Sequence, residues 1–328
     1  MFFSVIIPTY NPRRFLPRLL DSISHNKCIN EIEIIISDDC STEEFDDIIE
    51  QYDSLNIRKI SNEKHMGFPR AGRQHGVDEA TGEWINFADQ DDYFLNGAFD
   101  RVKETIISNK VSAVLISNFI VENSETYEQR IENAMKGWTH GKFYNRKFLL
   151  DNDIRYDEID YCEDINLSTK ISCVLIAKDI QYIILEDPIY VWCKRRDSLS
   201  EGEYFVNSFP NYIQATLGIV YNYLEKYITN VELAEQYNIL FIQTFLHMYF
   251  YLQSDFFFDR NKYMKVIEIL QPIYAKYKTL TGYTNESFVQ LLSTDLLDLY
   301  NNMRFGDVSQ IPFIEQITFK DWINIFFT

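Results

Sequence analysis

Four short apolar runs, each closed by turn residues and separated from the next by helical spacing, open this chain. Ser4–Ile7 is closed by Pro8-Thr9-Tyr10-Asn11-Pro12, and Ile32–Ile36 by Ser37-Asp38-Asp39-Cys40. Ile57–Ile60 runs into a loop from Asn62 to Gly67, and Trp84–Phe87 runs into Ala88-Asp89-Gln90-Asp91-Asp92. Between the first two runs, Phe15, Leu16, Leu19, Leu20 and Ile23 recur at helical spacing. Ser41-Thr42-Glu43-Glu44 reads as a capping box opening a helix with Phe45, Ile48 and Ile49, and Arg70–Ala80 reads as a third helix. Strand and helix in strict alternation predict parallel βαβ units with both faces of the sheet covered.

Open α/β sheets bind ligands beyond the carboxyl ends of their strands. The end of the fourth strand carries three carboxylates in four positions, Asp89, Asp91 and Asp92. Such a cluster repels itself unless a cation sits within it, and Mg²⁺ or Mn²⁺ is typically held by one or two carboxylates together with substrate phosphate. The stretch therefore reads as a metal-diphosphate anchor, the plain alternative being a solvated acidic turn. No Gly-x-Gly-x-x-Gly follows the first strand and no Gly-Lys-Ser/Thr loop is present, which disfavours a dinucleotide fold and a phosphate loop. Metal plus basic side chains remain to hold a phosphate.

The 328 residues suffice for one large domain or two ordinary ones, and 46% hydrophobic content marks a globular chain. A formal charge of −18 argues against a nucleic-acid partner, since Lys and Arg supply most of such binding. The five cysteines show no Cys-x-x-Cys spacing and read as reduced thiols of a cytosolic protein. The apolar start Met1–Ile7 lacks a basic flank and runs into a Pro-containing turn, so it is expected to be a buried strand rather than a signal peptide. No apolar run reaches the roughly 20 residues that span a bilayer.

Farther along, Ala113–Ile116 reads as a strand, followed by the aromatic-polar stretch Trp138-Thr139-His140-Gly141-Lys142. Trp138 and His140 suit either stacking on a sugar acceptor or packing at a domain edge. Tyr161-Cys162-Glu163-Asp164 precedes a helix marked by Ile165, Leu167 and Ile171, where acidic residues also serve as a routine response to the helix dipole. A strand at Ile180–Leu185 leads to Lys194-Arg195-Arg196-Asp197-Ser198, three cations that read as a flap over a diphosphate or as a solvated basic loop. From about Tyr204 the strand pattern ends. Tyr212–Tyr227, Val231–Leu252, Asn261–Tyr277 and Phe288–Met303 have helical period, and the aromatic rows around Asp255–Asp259 and Trp322–Phe327 read mainly as core.

Val5-Ile6-Ile7-Pro8-Thr9-Tyr10-Asn11, Ser37-Asp38-Asp39-Cys40-Ser41-Thr42, Asn62 and Gly67 with Arg73, Thr81-Gly82-Glu83 and Asp89-Gln90-Asp91-Asp92 resemble, in order and spacing, the second family of glycosyltransferases. The resemblance covers roughly residues 1–100 and recurs at 138–200. It implies a GT-A fold over residues 1–203, an α/β domain with a mostly parallel sheet flanked by helices, while the helical pattern over 204–328, outside the resemblance, reads as a C-terminal domain for acceptor recognition or oligomerisation. It also implies inverting transfer from a nucleotide-diphosphate sugar, which needs a carboxylate to take the acceptor proton. By that likeness Asp164 is the general base, with Glu163 the second choice. Pro8, Thr9 and Tyr10 pack the base of the nucleotide, Asp39 accepts from the uracil N–H, and Arg73 lies near the diphosphate. Asp89 and Gln90 approach the ribose side, Asp91 holds Mn²⁺ or Mg²⁺, and Asp92 caps the following turn. Lys194, Arg195, Arg196 and Ser198 close over the diphosphate. Gly72-Arg73-Gln74-His75-Gly76 departs from the family's usual Ala-Arg-Asn before glycine, which leaves His75 either at a phosphate or on a helix face.

The segments Leu150–Tyr156 and Cys162-Glu163-Asp164 resemble the wall teichoic acid and capsule branch of that family. The implied partners are a UDP-sugar donor, a UDP-hexose or UDP-N-acetylhexosamine, and a glycan, lipid-linked or polyol-phosphate acceptor, in the cytoplasm or peripheral on the inner membrane face. A homo-oligomer through the C-terminal helices fits the same reading. The competing readings are a nucleotidyltransferase, which usually needs a Gly-rich basic loop after its first strand, and a catalytically silent sugar-nucleotide or glycan-binding module.

Overall fold

A computed structural model describes residues 1–133, 137–159, 163–195, 203–252, 260–291 and 318–327. The chain divides into two compact units, Met1–Gly202 and Glu203–Thr328. The first unit runs β1 (Phe3–Thr9), α1 (Leu16–Ser24), β2 (Ile32–Asp38), α2 (Asp46–Ile49), β3 (Asn56–Ser61), α3 (Pro69–Glu79) and β4 (Trp84–Phe87). It continues with β5 (Tyr93–Phe94), α4 (Ala98–Asn109), β6 (Val114–Asn123), β7 (Gln129–Glu132), β8 (Lys142–Asn145), α5 (Arg146–Asp151), α6 (Glu163–Lys178) and β9 (Ile183–Lys194).

These strands form one sheet in the order β3-β2-β1-β4-β8-β6-β9-β5, with β7 on the side of β6. The β3-β2-β1-β4 half is parallel throughout, as the alternation predicts. The other half is mixed: β8 runs antiparallel to both β4 and β6, while β6 and β9 are parallel. β1 and β2 are buried on both faces, which explains why they read as continuous apolar runs and not as alternation. Leu16, Leu19, Leu20 and Ile23 of α1 are fully buried, one stripe at positions i, i+3, i+4 and i+7.

Two polar devices fix the loops. Ser4 on β1 donates to the Glu33 carboxylate on β2, which also accepts from the Thr81 and Gly82 backbone N–H groups at 2.6 and 2.9 Å. The turn before β4 is thereby tied to the centre of the sheet. At Gly82 a Cβ would fall 2.6 Å from the Ser4 backbone nitrogen, so only glycine fits. The second device replaces the expected capping box. α2 begins only at Asp46 and has no side-chain cap. Ser41 instead donates through its hydroxyl to Asp38 and accepts the Asn11 N–H at 2.8 Å, and the Thr42 N–H donates to Asn11 Oδ1 at 2.8 Å. The polar side chains that suggested a helix start serve to lock the β1 and β2 loops together.

The strands of the second half are longer than expected. β6 continues to Asn123, and β9 carries on to Lys194 across Tyr190-Val191-Trp192, with a register shift between Ser117 and Phe119 where the two meet.

The second unit comprises α7 (Glu203–Tyr227), α8 (Val231–Leu252), α9 (Arg260–Thr281), α10 (Asn285–Gln290) and α11 (Phe319–Phe326). Its aromatic residues are core. Tyr237, Phe241, Phe245, Tyr274, Tyr277, Phe288 and Trp322 are buried, with the Phe241 and Tyr277 rings stacked at 4.1 Å. Their polar ends are satisfied: Tyr277 donates to Asn238 Oδ1 at 2.9 Å and Trp322 Nε1 to the Tyr263 hydroxyl at 2.9 Å. The aromatic run at 255–259 and the stretch 292–303 lie outside the described residues. Among the described residues no helix is long and apolar enough to cross a membrane.

Candidate active site

Parallel pairing brings three loops to one edge of the sheet. Thr9 faces Asp38 in register and Ile6 faces Phe87, so the chain leaves β1, β2 and β4 on the same side. Thr9 is buried, its hydroxyl donating to the Ser37 carbonyl, and Pro8 is half-buried beside it. Gln90 binds the Tyr10 backbone from both ends of its amide, accepting from the N–H at 2.9 Å and donating to the carbonyl at 3.1 Å. The half-exposed Tyr10 ring lies 4.4 Å from that of His65, a neighbour to which sequence spacing assigns no role.

Asp39 is buried and heavily engaged. Its carboxylate accepts from Asn62 Nδ2 at 2.7 Å, from the Met66 N–H at 2.9 Å and from the Gly67 N–H at 2.8 Å, with His65 Nδ1 at 3.0 Å. Gly67 takes φ of +77°, the left-handed conformation that turns its N–H toward the carboxylate at no steric cost. These donors fill nearly all the lone-pair sites of one carboxylate.

The acidic end of β4 divides into three different environments. Asp89 pairs with Arg73 Nη2 at 2.7 Å; burial pushes its carboxyl up, but Arg73 and His140 outweigh that and hold it low. Asp91 is bound by Arg195 Nε at 2.7 Å, and the Arg195 guanidinium lies over the Phe15 ring at 4.5 Å. Arg18 donates to the Asp91 carbonyl from the other side. Burial first and the Asp89 charge second raise the Asp91 carboxyl. Asp92 does not cap the following turn with its side chain. It is fully buried, accepting the Tyr190 hydroxyl at 2.6 Å and the Cys193 N–H at 2.8 Å. Burial and its two acidic neighbours push it well up.

Arg73 is buried rather than open to a ligand. Its Nη1 donates to Glu163 at 2.5 Å while Nη2 holds Asp89, and its Nε is buried with no hydrogen-bond partner. Glu163 and Asp164 are the first two residues of α6, Glu163 buried and Asp164 half-buried. Burial raises the Glu163 carboxyl to about 7 against the opposing pull of Arg73, and burial likewise raises Asp164. Lys142, buried nearby, is lowered to about 8 by burial, with Asp164 pulling the other way.

Trp138 is half-buried and His140 buried. The imidazole stacks between Tyr190 at 5.6 Å and Trp192 at 5.2 Å, and burial lowers it to about 4. His75 is half-buried on α3. Lys194 ends β9 with Arg195 directly after it, whereas Arg196 and Ser198 lie outside the described residues. Tyr190 and Cys193 are the residues that spacing passes over: both sit within an apolar strand, and only the fold reveals that they anchor Asp92.

Carboxylate oxygens suit Mg²⁺ or Mn²⁺, and an imidazole beside them favours the transition metal of the two. Asp89, Asp92 and His140 each place a ligand atom within 4.8 Å of the others, and Asp91 lies in the same acidic turn. Asp91 and Asp92 are raised first by burial and then by neighbouring carboxylates, and that like-charge excess is what a divalent cation relieves. The donor set fits such an ion.

The sequence profile of glycosyl transferase family 2 matches residues 4–163. Residues 4–163 form a glycosyl transferase family 2 domain. The chain is 27% identical over 265 residues to the poly(ribitol-phosphate) beta-N-acetylglucosaminyltransferase TarS of Staphylococcus aureus, a match covering 76% of the chain and 44% of TarS. It is 28% identical over 181 residues to the GalNAc(5)-diNAcBac-PP-undecaprenol beta-1,3-glucosyltransferase of Campylobacter jejuni, covering 50% of the chain and 57% of that protein. The chain thus spans about half the length of the curated relatives it matches. Among solved structures, S. aureus TarS 1–349 in complex with UDP-GlcNAc superimposes with a TM-score of 0.69 at 21% identity, over 93% of this chain and 87% of that one. The family 2 unit shares that GT-A type fold.

Proposed function

We propose that this chain is a metal-dependent inverting glycosyltransferase. It moves a sugar from a UDP-sugar, N-acetylglucosamine in the first instance, to a hydroxyl of a bacterial surface glycan or teichoic-acid-like polymer. The observation that carries the reading is the carboxylate pair Glu163-Asp164 at the start of α6, joined through Arg73 to the acidic end of β4. It supports a proton acceptor beside the acidic strand end. The donor is favoured by the likeness to TarS, whose name and complex both carry N-acetylglucosamine.

Asp164 takes the proton of the acceptor hydroxyl, and the freed oxygen attacks the anomeric carbon from the face opposite the UDP. The bond from that carbon to the diphosphate oxygen breaks, and UDP leaves with the electron pair. Asp164 is the better base of the two carboxylates because Glu163 is already committed to Arg73. Asp91 offers the ligand for Mn²⁺ or Mg²⁺, which when bound neutralises charge on the leaving diphosphate. Lys194 and Arg195 follow β9 to the same acidic turn and supply positive charge there once the donor enters. Pro8, Thr9 and Tyr10, fixed by Gln90, frame the base. Asp39 holds the 62–67 loop beside it and accepts the uracil N–H when one of its present donors, such as His65, gives way. The second unit is assigned to acceptor binding or self-association, and the site of action to the cytoplasm at the inner membrane face.

The test is a donor panel of UDP-, GDP- and CMP-sugars with and without Mn²⁺, read by thermal stabilisation and UDP release. UDP-N-acetylglucosamine is expected to stabilise the protein in a Mn²⁺-dependent way that Asp91→Asn removes. Asp164→Asn is expected to keep donor binding and lose about two to four orders of magnitude in turnover. No response to any nucleotide sugar sinks the proposal.

A further inference from the structure

Arg73 sits where a cation for the diphosphate is expected, yet its geometry is that of an internal strut. α3 lies against the sheet through two glycines that flank this residue. A Cβ on Gly72 would come within 3.2 Å of Pro8 and Ser37 side-chain atoms, and one on Gly76 within 2.3 Å of Ile6. The Arg73 backbone is therefore packed closely on β1 and β2. From that seat the guanidinium reaches two elements distant in sequence, Asp89 at the end of β4 and Glu163 at the start of α6. Each terminal nitrogen has its own carboxylate, and only 4% of the residue is exposed. With so little of the residue exposed, a phosphate reaching the guanidinium would compete with the two ion pairs, one buried and one part-buried, and displacing either leaves a carboxylate unpaired.

We infer that Arg73 is a positioning residue that braces the first turn of α6 against the acidic end of β4, and so sets the distance between Asp164 and the donor. The inference rests on the transfer reaction proposed above. Its chemistry follows from the fork. A guanidinium delivers two hydrogen bonds in fixed directions from one rigid plane, so two carboxylates on it keep a constant separation. Asp164, the next residue after Glu163, inherits that fixed position. Around the strut, the Tyr156 hydroxyl and the Asn166 amide are buried with no hydrogen-bond partner among the described residues. Among the described residues, the two ion pairs are the side-chain ties that link the first residue of α6 through Arg73 to the acidic end of β4. Lysine keeps the charge but cannot bridge both carboxylates with defined geometry.

The experiment compares the full chain with Arg73→Lys and Glu163→Gln, which remove the strut from opposite ends. UDP affinity is read by calorimetry with Mn²⁺, and UDP release is read at saturating UDP-N-acetylglucosamine. Amide hydrogen exchange is followed over residues 163–170. In both variants UDP affinity is expected to stay within about threefold while turnover falls about tenfold or more, the pattern of an effect realised in the transition state. Exchange across 163–170 is expected to quicken. A tenfold loss of UDP affinity in Arg73→Lys with uridine binding unchanged overturns the inference, because Arg73 is then a diphosphate ligand. If Arg73→Lys does not fold, Glu163→Gln alone decides, and unchanged turnover in it overturns the strut. If the unaltered protein releases no UDP from any donor, the proposed reaction falls. The brace is then judged by exchange alone: unchanged protection over 163–170 refutes it, and selective loss there upholds it.

Discussion

The ring of His140 offers a quantitative check on the electrostatics of the site. Stacked between Tyr190 and Trp192, it is pushed down from 6.5 to about 4 by burial. Asp89 favours the charged form, while Arg73 and Lys142 oppose it, and Asp92 Oδ2 stands 4.0 Å away. A base with a depressed folded-state pKa stabilises the fold fully above its unfolded value. That contribution is lost as pH falls through the window from 6.5 toward 4, where the unfolded chain takes up a proton and the native one does not. The linkage amounts to about 2 kcal/mol near pH 5 and roughly 3 kcal/mol at the foot of the window. His140→Phe keeps a flat ring in the stack and removes the titration. Urea unfolding of both proteins across this pH range cancels the shared groups that do not interact with His140, including Glu163, whose raised pKa acts in the opposite direction. The unaltered protein is expected to lose that energy relative to the variant as pH falls. Carbon-detected NMR of the five histidines identifies His140 as the resonance missing from His140→Phe. Titration of that resonance at or above 6.5 would refute the argument that burial dominates.

Three further outcomes follow from packing and chemistry already described. Gly76→Ala drives a methyl to 2.3 Å from Ile6, so the denaturation midpoint is expected to fall by the equivalent of about 1–3 kcal/mol. Unchanged stability would show that α3 is loosely seated. Trp322→Ala empties the middle of the second unit's aromatic core and is expected to cost about 3–5 kcal/mol, visible as lost near-ultraviolet dichroism. Chelation of divalent ions is expected to abolish UDP release in the unaltered protein, with Mn²⁺ restoring it. Release that persists in chelator would remove Asp91 from the chemistry.

The parallel half of the sheet was legible because each of its strands is an apolar run with turn residues at its end. β4 occupies the expected Trp84–Phe87, and α8 in the second unit the expected Val231–Leu252. The mixed half was not, because pairing partners such as β6 and β9 are set by tertiary packing and carry no local signal. The misread at Ser41–Glu44 has a plain cause. Residues that cap helices also make loop hydrogen bonds, and here Asn11 across the loop won the competition. In the candidate site, the spacing identified which acidic residues gather but not which one each partner claims. Asp92 and Asp91 are adjacent in sequence, yet Tyr190 and Cys193 take the first and Arg195 the second. A polar contact between residues about a hundred positions apart leaves no periodicity to read.

The pairing of Arg73 with Glu163 spans 90 positions of chain. The Asn11 contacts and the Asp39 cradle, by contrast, lie upstream of Asp92 and join neighbours within a much shorter stretch. Chains are made and generally fold from the N-terminus, and long-range closure comes late. A nascent chain can therefore close the Asn11 and Asp39 loops while α6 is still unmade, when Arg73 has only Asp89 to hold. The tie from α3 to the carboxylate pair of α6 then closes onto loops already able to form, and β9 brings Tyr190, Cys193 and Arg195 to the acidic turn after it.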